Sequence, residues 1–148
     1  MKTKLLFLGA FLFLNLFSQA QEIKVITIVE SVVPMGVGRS RMIEEKSDID
    51  YKNLTTERTD GKKSNSGNTS RKDAKVDKFA ETKLLNFYSA VGINFQNIAS
   101  NDAVISSKIN EMIVDGWTLI FVTSAVESDA GKGDGNGIFI TRLFFQKK

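Results

Sequence analysis

Residues 100–126 read SNDAVISSKINEMIVDGWTLIFVTSAV, and the fold class turns on where their hydrophobic period changes. Ile105, Ile109, Met112 and Ile113 recur at helical spacing, with Lys108, Asn110 and Glu111 pointing elsewhere. Asn101 or Asp102 is the residue type that caps a helix start, and Gly116 is the type that ends one. From Trp117 to Val126 the helical period is lost, and bulky groups occupy both faces of an extended segment. A helix running directly into a strand is therefore predicted, with Gly116 as the joint.

Downstream, ESDAGKGDGNG (127–137) is a glycine-rich connection, and GIFITRLFFQKK (137–148) returns as the last strand of a hairpin. Upstream, IKVITIVESVV (23–33) is β-branched almost throughout. Ile23, Val25, Thr27 and Val29 share one face, and Ile26, Ile28 and Val32 share the other. Both faces are apolar, which predicts a central strand covered on two sides. Pro34 ends it, and Met35-Gly36-Val37-Gly38 supplies a turn. RSRMIEE (39–45) then folds back as a second strand carrying Arg39 and Arg41 on one face.

The segment KFAETKLLNFYSAVGINF (78–95) supports two readings. Val76, Ala80, Leu84, Phe87 and Val91 form a helical stripe that Gly92 would close; equally, Leu85, Phe87, Val91, Ile93 and Phe95 alternate as a strand would. The helical reading is preferred, and the choice has a consequence. A sheet with two apolar faces needs cover on both, and the helix after Asn101 supplies only one. The second cover is then either a helix over 79–91 or another copy of the chain. Arg142, within FITRLFF, reads as a charged guard against edge aggregation. Between the strands, about 46–77 is polar, with Ile49, Tyr51, Leu54 and Val76 as its large apolar residues. Such a composition buries too little surface to offset the entropy of ordering, and predicts a disordered insertion. The fold class expected is α+β: a small, mainly antiparallel sheet with one or two helices packed on it.

The helix, then Asp115-Gly116-Trp117-Thr118-Leu119, then a glycine-rich hairpin and a basic-ended strand, resembles a family of small secreted bacterial domains of unknown function. Its pattern is a helix, a Gly-Trp-x-Leu strand and a closing hairpin strand. The likeness covers 23–33 and 101–148. It implies the fold and no activity.

The N-terminus, MKTKLLFLGAFLFLNLFSQA (1–20), has Lys2 and Lys4 before a short apolar core, and Ser18-Gln19-Ala20 before Gln21. This is the layout of a signal peptide, and it is too short and wrongly flanked for a membrane anchor. The expectation is a secreted or periplasmic chain, not membrane-spanning after cleavage, with 21–148 forming one domain. Of 20 basic and 17 acidic residues, the leader holds two lysines and no acid, which leaves 18 against 17. A charge of +1 gives no footprint for nucleic acid.

The chain has no His and no Cys. The usual neutral-pH base, the thiol nucleophile and the thiolate metal sites are thereby excluded. No catalytic residue, metal or cofactor is assigned. In PMGVGRSRM, Gly36 and Gly38 are too close for a Walker-type loop, and Arg41 stands where a dinucleotide fingerprint needs its third glycine. What remains is an anion site formed by Arg39, Ser40, Arg41 and, from the last strand, Arg142. DAGKGDGNG fails the EF-hand frame, because Gly131 and Gly133 fall on ligand positions. The function expected is an exported, non-catalytic binding or structural domain. A carboxylate-dependent hydrolase drawing on Glu30, Glu44, Glu81, Glu111, Asp115 or Glu127 and a homo-oligomeric envelope component are the alternatives.

Overall fold

A computed structural model describes residues 21–32, 40–58, 60–63, 69–89, 91–127 and 137–148. The leader, the 33–39 turn with Arg39, and the 128–136 loop lie outside them. The strands are β1 (Glu22–Ser31), β2 (Arg41–Glu45), β3 (Phe79–Lys83), β4 (Tyr88–Ser89), β5 (Gly92–Ile93), β6 (Thr118–Val126) and β7 (Ile138–Lys147), with one helix, α1 (Phe95–Val114). Five strands form an antiparallel sheet in the order β3-β2-β1-β7-β6, while β4 and β5 make a small separate hairpin. The α+β class read from the sequence is the class observed.

Strand pleating divides the sheet into two unlike faces. Ile26, Ile28, Met42, Leu143 and Phe145 point to one face and are buried with Met112 and Trp117. Val104, Ile105 and Ile109 of α1 pack against this cluster. Val25, Thr27 and Val29 point the other way and are only half-buried. The expectation that both faces of β1 are covered is thus met on one side.

The joint between α1 and β6 is a Schellman motif. Gly116 takes φ +86°, its amide bonds Ile113 O at 3.0 Å, and Trp117 N bonds Met112 O at 2.9 Å. Trp117 is delivered into the core beside Met112, the apolar contact that accompanies this cap. Lys24 lies 5.1 Å from the Trp117 ring centroid and Lys147 5.8 Å, so two cations lie over the ring.

Three expectations need correction. The helix starts at Phe95, capped by the Asn94 side chain on Asn97 N (3.2 Å), not at Asn101 or Asp102. Ile113 is more than half exposed rather than on the packed face. The preferred helix over 79–91 is absent: 79–83 is strand β3, paired with β2, and 84–87 runs irregularly over the helix side of the sheet. Backbone pairing to β2 satisfies the β2-facing amides of 79–83, and the alternating burial needed there is slight because β3 is an edge. Among the described residues of 46–77 there is one 3-10 turn (Tyr51–Leu54) and no strand. Lys46 N bonds Lys78 O at 3.0 Å, so this insertion leaves and rejoins a continuous β2–β3 hairpin.

Candidate binding surface

Three places in the described structure bring polar chemistry together. One is a clamp that fastens α1 to the sheet. Asn101, mid-helix and 1% exposed, accepts from Leu85 N at 2.8 Å and donates to Leu85 O at 2.8 Å and Glu30 at 3.0 Å. Next to it, Ser40 Oγ accepts from Ser31 N at 3.0 Å and meets Asn86 Oδ1 at 3.0 Å, while Asn97 donates to Asn86 O at 2.8 Å. The amides thereby stand in for strand pairing along 84–87, which runs between β2 and α1. Burial pushes the Glu30 carboxyl up from its ordinary range; the Asn101 bond opposes this and the nearby Asp102 charge adds to it.

The second place is a buried ionic knot. Glu44, on the helix side of β2 and 7% exposed, meets Lys46 at 2.8 Å, Lys108 at 3.0 Å and Lys24 at 3.3 Å. Lys108 also bridges to Glu111 at 3.3 Å. Burial by itself would raise the Glu44 pKa, but hydrogen bonds from Lys46 and Lys108 outweigh it and hold the group at about 2. A carboxylate saturated by three ammonium groups is a fastener between β1, β2 and α1. It is poorly placed to attack or to accept a proton near neutrality.

The third place is the open face of the sheet, where polar and apolar side chains stand in ordered rows; on the opposite side, Val122 and Val126 of β6 are also exposed. Registers place Glu81, Ile43, Thr27, Arg142 and Thr123 in one row across the five strands. Beside it runs the row Lys83, Arg41, Val29, Ile140 and Ala125. On the other side lie Phe79, Val25, Phe144 and Phe121, the last two stacked at 5.7 Å between centroids. Phe121 and Ile120 are about half exposed, and a register shift between Leu119 and Phe121 sets Phe121 opposite Phe144. No described element lies across this face.

The residues singled out as an anion site are distributed over it. Arg142 is exposed near its middle, on β7, which is an inner strand, so it cannot guard an edge. Among the described residues, no carboxylate is within ion-pair distance of Arg142. Arg41 shares the face, with Nη1 bonding Ser40 O at 2.9 Å. It stands two strands and two residues from Arg142, about 12 Å by ordinary sheet spacings. Ser40 is fully buried, its hydroxyl committed to the clamp, and does not reach this surface. The sequence marked Arg41 by its glycine-rich turn and Arg142 by its apolar neighbours; it carried no sign of the Asn101 clamp, whose partners are distant in the chain.

Comparison with protein-family models, with curated proteins and with solved structures finds no match for the chain.

Proposed function

We propose that the chain is an exported, non-catalytic binding or structural domain whose working surface is the open face of its sheet. The observation that carries this is the open face itself: Phe121 is exposed and Phe144, Val25 and Val29 are half-buried around an exposed Arg142 that meets no carboxylate among the described residues, while the buried core lies on the opposite face. An ordered apolar patch rimmed by charge is how an interaction surface differs from scattered surface hydrophobics. Export rests on the leader-like residues 1–20. No helix among the described residues is long and apolar enough to cross a membrane. The hydrolase reading has less behind it: of its candidate acids, Glu30 and Glu44 have displaced pKa values, and these are tied to Asn101 and to three lysines.

Photo-crosslinking residues placed at Phe121 and Thr123, and as controls at Ser106 and Asn110 on the outer side of α1, test the reading in the exporting cell. Adducts confined to the sheet positions, with the attached molecule identified by mass spectrometry, are expected. Equal labelling at both sets, or none at the sheet, refutes it.

A further inference from the structure

We infer that the outer edge of β6 pairs with the same edge of a second copy, antiparallel, so that two five-stranded sheets run on as one. The basis is a row of backbone groups, independent of what lies on the open face, and their chemistry calls for an extended strand.

The two edges of the sheet are unlike. β3 has five residues, Phe79–Lys83, with Glu81 and Lys83 among them. β6 has nine, Thr118–Val126, and none is charged or a proline. Shortness, charge and proline are the means by which an edge refuses a further strand. β3 has the first two and β6 has none of the three. A bulge is a fourth such means, but the register shift in β6 falls between Leu119 and Phe121, and Phe121 to Val126 stay in unbroken register with β7.

β6 pairs with β7 on one side, and on the other no described residue bonds its backbone. An edge strand turns donors and acceptors outward in alternation, and another extended backbone answers that alternation along its length. The side chains agree. Val122 and Val126, opposite Leu143 and Phe139 on the helix side, are about half exposed, and Phe121 on the open side is 59% exposed. A strand alongside would cover both rows, whereas a molecule laid on one face would cover one.

The strand is that of a second copy because β6 fits itself. A two-fold axis perpendicular to the sheet makes the two strands antiparallel and keeps like faces on the same side. Centred on Thr123, it sets Phe121 against Ala125 and Val122 against Ser124, large beside small, and brings no two charges together. Centred on Ser124, it would set Phe121 against Glu127. Pairing β6 with β3 would match nine residues to five, set Glu81 and Lys83 beside an apolar strand, and propagate without closing; β6 with β6 closes at two copies. The open faces of the two copies then form one surface, with an Arg142 one strand in from the join on each side.

The chain has no cysteine, so a single introduced thiol reports on this pairing alone. The full reading frame is expressed in a secreting host and purified in its exported form. Under mild oxidation Thr123→Cys should link to its own copy, because residues facing each other across an antiparallel pair stand within disulfide range. Ser106→Cys, on the outer side of α1, should not. Sedimentation equilibrium of the wild type should give the mass of two chains. Thr123→Glu and Thr123→Lys should each weaken association at least about tenfold by setting like charges face to face, and an equimolar mixture of the two should regain it. Position 123 is exposed, so circular dichroism of both variants should remain that of the wild type. Four results overturn the pairing: a wild type of one chain's mass, a wild type that grows past two chains, Ser106→Cys linking as readily as Thr123→Cys, or a mixture no tighter than its components. The first of these, with an identified foreign molecule still captured from the open face, leaves the proposed working surface standing.

Discussion

Phe144 and Phe145 are adjacent in the chain and have opposite fates. Phe145 is fully buried between β1, β6 and α1, while Phe144 lies half-buried against Phe121 on the other side of the same strand. Their side chains have the same composition and volume, so the difference is owed to what covers each face. The covered face fastens itself with more than apolar contact: the Asn101 clamp and the Glu44 knot both reach from α1 into the sheet. The open face has no such fasteners. It is this difference in fastening, with aromatics beside an arginine on the open side, that supports the proposed working surface.

The largest expected effect breaks the covered side. Phe145→Ala removes a ring with no solvent contact, and should cost about 3–5 kcal/mol in urea unfolding, enough to unfold many domains of this size. Next comes Asn101→Ala. It leaves Leu85 N and O and the Glu30 carboxylate without their partner, and should cost about 3 kcal/mol by the same assay. Hydrogen exchange should then show 84–87 opening before the sheet does.

A smaller effect sits at Glu44. Its folded pKa, about 2, lies below the ordinary 4.5. The stability it contributes is therefore complete above pH 4.5 and is lost as pH falls from there toward 2. Glu30 has the opposite sign. Its raised pKa means that the folded form takes up its proton at a higher pH than the unfolded chain does, and stability rises as pH falls between the folded value and 4.5. Thermal melts should show the melting temperature rising gently from neutrality toward pH 5 and falling below 4.5. Glu44→Gln should lower stability by about 2 kcal/mol at neutral pH and remove much of the acid-side fall.

How much of this division was legible in the sequence depends on the range of the interactions involved. The joint at Gly116-Trp117 was readable, because a left-handed glycine and a change of period are local signals. So was the alternation along β1 that separates Ile26 and Ile28 from Val25 and Val29. The true start of α1 was not, since Phe95 to Ser100 carries no clean apolar stripe and Phe95 is mostly exposed. Segment 78–95 misled for a different reason. Its helical spacing was real, but β3 is chosen by an edge of β2 waiting for backbone partners, and the sequence does not display that edge. Asn101 read as a capping residue because its type caps helices; only the fold brings Leu85 and Glu30 to it. The two arginines on the open face were noticed, whereas Ser40, grouped with them by adjacency, points inward.

The smallest expected effect sharpens the contrast. Phe144→Thr should cost only about 1 kcal/mol in urea unfolding, the worth of its contact with Phe121.

Hydroxyl-radical footprinting of the chain in dilute solution tests the central claim most directly, because Phe144 and Phe145 report on the two faces side by side. The account predicts that Phe145 stays unmodified while Phe144 and Phe121 are modified. Modification of Phe144 and Phe145 alike, or protection of Phe144 and Phe121 together with Phe145, would contradict it.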